Sequence, residues 1–150
     1  MDCAEFQREF LDQLDGRRGL GLLFDYLPEI HLFVKNRYSQ FVKINKTLLK
    51  MLNLEHENQM LGKTDMEFYP KDVARKYIEE DKLVMSQGVP FINKVWLVPG
   101  SDGLLVWYLC TKIPLYSRDG QIIGIAGTLR DYETAGAVLE PYNEMATVVE

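Results

Sequence analysis

Two long apolar runs separated by a short polar turn constrain the fold of this chain more than any other feature. The first run, Leu104–Leu115, is rich in branched and aromatic residues, which are typical of β-strands. The second run, Gln121–Asp131, follows a turn that ends in Asp119 and Gly120, a pair common in tight turns. Strands joined by so short a loop can only pair antiparallel. The sequence therefore predicts a long β-hairpin, with which every other element must be compatible.

Three further strands are expected to join this hairpin. Phe91–Val98 has the composition of a strand and is linked to the first run by a loop containing Pro and Gly. Upstream, Ile30–Lys35 and Gln40–Ile44 have the composition of a second hairpin. Neither group of strands could bury its apolar face alone. The sequence thus predicts an α+β fold, in which a five-stranded antiparallel sheet carries short helices on one face and an amphipathic helix precedes it.

That N-terminal helix is indicated by apolar residues at helical spacing, namely Phe6, Phe10, Leu11 and Leu14. It ends at the glycine-containing break 16–19, which separates it from the rest of the chain. Its apolar stripe needs a partner, either its own domain or the same helix of a second chain. Both alternatives fit the sequence, and the second makes a homodimer the expected assembly.

The helices between the two groups of strands are marked by their ends. Asn45 is placed to cap the first of them, because its side chain can accept from a free backbone N–H. Thr64 or Asp65 can cap a single turn. The longest helix is expected over Lys71–Gln87 and ends at Gly88, the residue type best suited to a helix C-terminus.

One carboxylate on that longest helix is unusual. Asp81 falls on the apolar face, together with Tyr77 and Met85. A carboxylate at such a position either lies at the rim, in water, or is buried with a partner. We predict the rim position, which is the commoner outcome for Asp.

Size, composition and charge exclude several classes of protein. At 150 residues the chain is one domain, and 47% hydrophobic with 26% charged residues is ordinary for a globular protein. A formal charge of −5 argues against direct binding of nucleic acid or an anionic membrane. No run approaches the roughly 18 apolar residues of a membrane span. The acidic N-terminus does not resemble a signal peptide, and Cys3 and Cys110 lack metal or redox spacing. A cytoplasmic protein with reduced cysteines is expected.

Groups that could support catalysis are sparse, so the chain is not expected to be an enzyme. His56 lies in a polar segment and is expected in solvent, whereas His31 is expected at a structural position in a strand. Neither belongs to a metal-binding pattern, and no metal site is predicted. The segment Gly124–Gly127 is not a nucleotide-binding fingerprint. Within a strand, its small residues either allow close packing or leave room for a ligand.

Several short motifs, in their order along the chain, resemble those of the PAS domain. Phe33–Asn45 resembles the opening hairpin of that family with its helix-starting Asn, and Gly62–Pro70 resembles its G-[KR]-T-D…F-[FY]-P segment. Lys112–Leu115 and Gly124–Asp131 resemble its closing strands. The resemblance covers residues 20–132. It implies a sensory domain whose ligand, where one exists, lies between the helices and the sheet.

The C-terminal tail resembles the linker of AraC-type transcription regulators, which joins a PAS sensor to a DNA-binding domain. It ends in an apolar, helix-like pattern that includes Met145, Val148 and Val149. The resemblance implies an N-terminal helix (1–19), a sensor (20–133) and a linker (134–150) to a separate effector domain, which would make the DNA contacts. The alternatives are a PAS module of a histidine kinase or cyclic-dinucleotide enzyme, and a pure dimerisation module.

The cofactors known in the family do not fit this sequence. Haem-binding members of the oxygen-sensor type carry a His on the long helix, and Lys71–Gln87 contains none. Flavin photosensors carry a reactive Cys ahead of that helix, and none lies between Asn45 and Gly88. Haem and flavin are therefore disfavoured. An unidentified small molecule in a mostly apolar pocket is the remaining expectation.

Candidate ligand-binding residues follow from the aromatic and polar side chains of the predicted sheet and helices. Alternation along the strands does not reveal which set faces inward, because both sets are apolar. An apolar outer face would itself indicate a second covering surface. The candidates are Phe33, Asn45, Phe68, Tyr77, Trp96, Tyr108, Thr111, Thr128 and Arg130. Of these, Arg130 could bind a carboxylate in a bidentate manner.

Overall fold

A single, mostly antiparallel sheet with helices on one face dominates the computed structural model, which describes residues 2–15, 19–99, 102–132 and 148–149. The strands are β1 (Ile30–Asn36), β2 (Phe41–Ile44), β3 (Phe91–Pro99), β4 (Leu105–Tyr116), β5 (Ile122–Asp131) and β6 (Val148–Val149). The α-helices are α1 (Cys3–Leu11), α2 (Lys46–Met51) and α3 (Lys71–Gln87), and short 3₁₀ helices cover Leu20–Tyr26, Glu57–Gln59 and Asp65–Glu67.

The order of the strands is β2-β1-β5-β4-β3-β6. The β4–β5 hairpin forms as predicted, with Lys112 opposite Gly127, and β1 pairs antiparallel with β5 so that the two groups of strands become one sheet. The predicted five-stranded antiparallel sheet with short helices is therefore confirmed. The sixth strand is an addition to it.

That addition, β6, corrects part of the prediction for the C-terminal tail. Val148 and Val149 form a strand rather than the helix that the apolar pattern indicated, and they pair parallel with Val95 and Trp96 of β3. An edge strand such as β3 presents unpaired backbone groups, and valine favours extended backbone. The rest of the predicted linker, residues 134–147 and 150, lies outside the described residues.

The helix ends follow from the residues that the sequence singled out. The Asn45 side chain accepts from the backbone N–H of Leu48 at 3.1 Å and caps α2. Thr64 caps the turn Asp65–Glu67, with a reciprocal bond from its backbone N–H to Glu67. The helix α3 has the predicted bounds, and it ends at Gly88 with a φ of 64°, a conformation that glycine adopts without steric cost.

The position of the helices determines which residues of each strand face the core. Trp96, Cys110 and Ile125 are buried beneath α2 and α3 in the main core, whereas Val95 and Leu109 belong to a small cluster on the other side of the sheet. The outer face is still largely apolar, and Leu105, Trp107 and Ile113 are exposed on it. The helices thus cover one face of the sheet, as predicted.

The two glycines of β5 serve close packing. A Cβ at Gly127 would overlap the ring of Phe33, and a Cβ at Gly124 would overlap the backbone carbonyl of Lys35. Both neighbours belong to β1, so the small residues let β1 and its inward side chains lie close against β5. Of the two alternatives left open for this segment, the structure shows close packing.

The helix α1 is exposed along its whole length. All of its residues are exposed, and Phe6 and Phe10 have 70% and 63% of their surfaces accessible. Its own domain therefore does not cover the apolar stripe. Neither α1 nor any other helix in the described part of the chain is long and apolar enough to cross a membrane.

Candidate ligand-binding site

A small cavity lies between the sheet and the helices; its enclosed volume is about 20 Å³, and its mouth is open to solvent. Half of its lining is aromatic, and most of the rest is charged. The lining residues are Phe33, Lys35, Phe41, Leu48, Asp65, Tyr69, Tyr77, Trp96, Lys112 and Leu129. Because strands β1 to β5 and both covering helices contribute, the cavity is built by the whole fold and not by one loop.

The aromatic side of the cavity centres on Tyr77 of α3. Its ring stacks on Trp96 of β3, with centroids 4.1 Å apart and planes 9° apart. The ring of Tyr69 meets Tyr77 edge-on at 5.3 Å. Aromatic pairs of these geometries add to the stabilisation from burial alone. They hold α3 at a defined distance from β3 and fix the shape of this wall.

The polar side consists of a buried ion network that joins both layers of the fold. The Lys35 ammonium of β1 donates to Asp65 at 2.5 Å and to Asp81 of α3 at 2.8 Å. The Lys112 ammonium of β4 donates to the other oxygen of Asp81 at 2.6 Å and lies 3.4 Å from Glu80. Lys112 and Asp81 are 1% and 0% exposed. Asp81 therefore bridges two buried lysines.

The prediction that Asp81 lies at the rim is wrong, because its side chain is buried between the two lysines. A carboxylate can be buried when cations and hydrogen bonds compensate for the lost water, and here two strands supply one lysine each. Both lysines occupy inward positions in the strand alternation, with Lys112 two residues after the buried Cys110 and Lys35 two residues after the buried Phe33. That spacing was the available signal, but it was missed because lysine is almost never buried without a partner.

Aromatic rings surround the same ammonium groups. The Nζ atom of Lys35 lies 4.9 Å from the centroid of the Phe41 ring and 5.2 Å from that of Phe33. The Nζ atom of Lys112 lies 4.4 Å from the centroid of Trp96. Ring faces attract cations, and more strongly so where water is excluded. The aromatic rings therefore help to stabilise the buried ammonium groups of Lys35 and Lys112.

The protonation of the network follows from burial and from the two lysines. Burial raises the pKa of Asp65 and of Glu80, and the nearby lysines offset only part of that effect. Burial acts on Asp81 in the same direction, but Lys35 and Lys112 together outweigh it and lower the pKa of Asp81. For Lys112 burial is likewise outweighed, here by its acidic neighbours, and its pKa is raised. The Lys112–Asp81 pair is thus ionised at neutral pH.

The structure places three of the predicted aromatic residues on the cavity wall: Phe33, Tyr77 and Trp96. It does not place Phe68 or Tyr108 there. Phe68 packs edge-on against Phe41, with centroids 6.0 Å apart. Tyr108 makes the same kind of contact with His31 at 5.6 Å. Both rings serve the packing of the core, which apolar patterning does not distinguish from a cavity wall.

The predicted polar residues are not in the cavity. All four hydrogen bonds of the Asn45 side chain go to backbone groups, those of Leu32, Leu48, Phe24 and Ile30. Three candidates lie in the strand alternation that faces away from the helices: Thr111, Thr128 and Arg130. Arg130 donates to the Asn93 side chain at 2.8 Å, and Thr111 accepts from the Asn93 backbone. Successive side chains of a strand face opposite sides of the sheet. Thr111 therefore faces away from its buried neighbour Lys112, and Thr128 and Arg130 face away from the buried Leu129 between them.

The two histidines occupy the kinds of position predicted for them. His31 lies on β1 beside Tyr108, and its burial lowers its pKa. His56 is exposed and precedes the 3₁₀ helix Glu57–Gln59, and its backbone N–H donates to the side-chain oxygen of Gln59. Neither histidine lines the cavity.

The sequence and fold of this chain are similar to those of several known proteins. A curated relative from Vibrio cholerae serotype O1, described as a diguanylate cyclase, is 28% identical over 103 residues, which are 68% of this chain and 32% of that protein. A structure of VqmA bound to DPO is 25% identical, with a TM-score of 0.66 over 75% of this chain and 56% of that one. The VqmA dimer of Vibrio cholerae in the absence of target DNA is 26% identical, with a TM-score of 0.65 over 73% of this chain and 48% of that one.

This chain thus spans about a third of the cyclase and about half of each VqmA chain. The profile of the PAS fold matches residues 24–134. That range contains strands β1 to β5, the helices α2 and α3, and every residue that lines the cavity. The chain therefore belongs to the PAS family.

Proposed function

We propose that this PAS sensory domain binds a small molecule in its cavity and reports the occupancy to a regulator of transcription of the AraC type. The observation that carries the proposal is the composition of the cavity. A core that served only for stability would be filled by apolar side chains, because replacing a buried ion pair by such side chains is often neutral or stabilising. Here a space bounded by Phe33, Tyr77 and Trp96 also meets Lys35 and Asp65.

The regulatory part of the proposal is supported by the VqmA structures. One of them is described as bound to DPO, and the other as a dimer in the absence of its target DNA that gives insight into the DNA-binding mechanisms of LuxR-type receptors. The net charge of −5 on this chain argues against direct DNA contact. Contact with DNA would then belong to another part of the full protein, as the tail resembling AraC-type linkers implies.

A route from the cavity to the C-terminal segment runs through β3. Trp96 contributes its ring to the cavity wall, and its backbone is the register partner of Val149 in β6. A ligand that shifts the Trp96 ring would change the pairing of β3 with β6. The ligand would act by favouring one of two arrangements of that edge. A cytoplasmic location is part of the same proposal.

The second candidate function is a sensory module of a cyclic-dinucleotide enzyme, and the relative described as a diguanylate cyclase favours it. In either case we propose that the residues 1–150 sense and do not catalyse, because the lysines and carboxylates of the cavity are engaged with each other. Two assays of the complete protein distinguish the candidates: one measures its binding to DNA, and the other measures its synthesis of a cyclic dinucleotide. Sequence-specific DNA binding supports the first, and cyclic-dinucleotide synthesis supports the second.

Self-association through α1 is a further part of this proposal and gives a direct test. Deleting residues 1–15 should convert a dimer into a monomer in sedimentation velocity, because the apolar stripe of α1 is exposed in the single chain. Within the helix, Phe10→Ser should weaken the dimer about tenfold or more, as loss of an aromatic anchor does. Arg8→Ser, on the opposite side of the helix, should leave it unchanged. An unaltered dimer after the deletion would remove α1 from the interface.

Native mass spectrometry tests the sensory function itself. Purified protein should carry an extra mass that leaves on denaturation. Leu129→Phe places more volume in the cavity wall, and this variant should lose the extra mass. Leu105→Phe makes the same change on the exposed outer face and should keep it. A dimer that carries no extra mass in any preparation would favour a dimerisation module without a ligand.

A further inference from the structure

We propose that the buried ion network is a proton-binding site in which Glu80 holds one proton, and that release of this proton changes how α3 is held against β4. The network consists of Asp65, Lys35, Asp81, Lys112 and Glu80. The proton needs no ligand in the cavity, so this inference is independent of the proposed function. Three observations carry it: the number of charges in the network, the contacts of Glu80, and the burial of all five groups.

The network is a chain of alternating charges with one carboxyl group in excess. The ammonium group of Lys35 lies 2.5 Å from Asp65 and 2.8 Å from Asp81. The ammonium group of Lys112 lies 2.6 Å from Asp81 and 3.4 Å from Glu80. All five residues are buried, with at most 7% of any of them exposed. A buried negative charge without its own cation is costly, and a carboxyl group avoids this cost by keeping its proton.

The contacts of Glu80 identify it as the group that keeps the proton. Asp81 accepts hydrogen bonds from both lysines, and Asp65 accepts one from Lys35. The contact of Glu80 with Lys112 is the longest of the four, and its buried Oε1 atom has no hydrogen-bond partner among the described residues. Hydrogen bonds donated to a carboxylate stabilise its charged form. Glu80 therefore gains least from being ionised.

The charged groups around Glu80 do not reverse this assignment. Burial raises the pKa of Glu80, Lys112 and Lys94 offset only part of that effect, and the charge of Asp81 raises the pKa further. Lys94 of β3 is only partly buried, so water weakens the effect of its charge. Glu80 therefore keeps its proton at pH values at which a free glutamate has lost it.

Three further titratable groups face the network and leave its charge unchanged. They are the Cys110 thiol and the hydroxyls of Tyr69 and Tyr77. Burial raises the pKa of each, that of Cys110 to about 12. All three are therefore neutral at neutral pH, and the number of protons in the network depends on its carboxyl groups.

Release of the proton would act on the contact between α3 and β4. Lys112 of β4 lies closer to Asp81 than to Glu80. It also donates to the backbone oxygen of Tyr77 at 3.4 Å. A second negative charge on α3 would draw the ammonium group toward Glu80 and away from these two partners. Because its Nζ atom lies 4.4 Å from the centroid of the Trp96 ring, Trp96 would report the displacement.

A pH titration followed by ¹³C and ¹⁵N NMR tests the site directly. The carboxyl signal of Glu80 should have a midpoint above 4.5, the ordinary pKa of glutamate, and that of Asp81 a midpoint below 3.8. The indole N–H signal of Trp96 should move with the Glu80 midpoint, and Trp107 on the outer face is the internal control. Glu80→Gln should abolish this movement. Glu79→Gln, at an exposed position of α3, should retain it.

Urea unfolding between about pH 4 and about pH 8 gives an independent readout. A carboxyl group whose pKa is raised by folding stabilises the fold below its unfolded pKa, and the contribution is lost as the pH rises through the folded pKa. Glu80→Gln has no such proton to lose, so it should match the wild type at the acid end and become the more stable protein as the pH rises. Its folded-to-unfolded ratio should gain about tenfold for each pH unit by which the Glu80 midpoint exceeds 4.5. Glu79→Gln should follow the wild type throughout.

Four results would overturn the proposal. A Glu80 midpoint at or below 4.5 would show a carboxylate ionised by Lys112. A raised midpoint on Asp65 alone would place the proton at the other end of the network. A Glu80→Gln variant less stable than the wild type at about pH 8 would show that the charged form stabilises the fold. A Trp96 signal that ignores the Glu80 titration would remove the link to the contact between α3 and β4. The mass retained in native spectrometry tests the proposed function separately from all four.

Discussion

Replacing Asp81 with Asn is expected to destabilise the folded protein by about 3–5 kcal/mol, the cost of breaking a buried ion pair by removing one partner. Asp81 is the carboxylate that the ammonium groups of both Lys35 and Lys112 share. The side-chain amide keeps the volume but leaves two buried cations short of an anion. Since domains of this size are stable by about 5–15 kcal/mol, the loss takes a large part of the total.

Urea unfolding measures this loss, and Asp72→Asn is the matched control on the same helix. The Asp72 side chain is 95% exposed, and its nearest cation, on Arg75, lies 4.0 Å away. Such surface pairs contribute about 0–1 kcal/mol, so the control should lose less than about 1 kcal/mol. Equal losses in the two variants would show that the buried network does not stabilise the fold.

The pH dependence of the difference between wild type and Asp81→Asn gives a second check. The two lysines outweigh burial and hold the pKa of Asp81 below its ordinary value of 3.8. A carboxyl group of this kind stabilises the fold above its unfolded pKa, and the contribution is lost as the pH falls through the lower folded pKa. The difference should therefore be constant from neutral pH to about pH 5. It should shrink as the pH falls further, through 3.8 and below. Burial and the charge of Asp81 both raise the pKa values of Asp65 and Glu80, so these two groups should titrate at lower pH in Asp81→Asn than in the wild type.

Replacing Tyr77 with Ala should cost a similar amount, about 3–5 kcal/mol, as deletion of a large buried aromatic side chain does. The ring is 5% exposed, stacks on Trp96 and meets Tyr69 edge-on. Its loss would join the space of the ring to the existing cavity and remove the stacking contact between α3 and β3. The free energy of unfolding in urea measures the effect.

The same substitution at Tyr38 is the control, because that side chain is 71% exposed. It should change the stability by about 0.5 kcal/mol or less. A loss well under about 1 kcal/mol for Tyr77→Ala would contradict the packing of α3 on the sheet. A third variant, Tyr77→Phe, keeps the ring and removes only the hydroxyl, so the series separates the contribution of the ring from that of the hydroxyl.

Local signals in the sequence were sufficient for the elements of the fold. The bounds of α3, the capping by Asn45 and Thr64, and the β4–β5 hairpin depend on residues within a few positions of one another. Caps, turns and helical spacing are short-range effects, so one sequence contains their causes. The order of these elements then sufficed to indicate the PAS family.

The candidate site could be predicted only in part. Phe33, Tyr77 and Trp96 were found because large aromatic residues are common in any core and in any pocket. The charged half was missed, since a lysine in a strand is usually exposed. Lys35 and Asp81 are 46 positions apart, and Lys112 and Asp81 are 31 apart. No local pattern reports such pairings.

The sequence by itself thus determined the strands β1 to β5, the main helices with their ends, and the antiparallel pairing of the hairpins, because hydrogen bonding and burial within short segments decide these. Tertiary structure alone decided which face of each strand turns inward, since both faces of β3 and β4 are apolar and only the position of α3 distinguishes them. It thereby placed Lys112 inside and Thr111 outside. The site exists because that choice brings two lysines to one carboxylate where water is excluded. The attraction between these opposite charges compensates for the lost hydration and makes their burial possible.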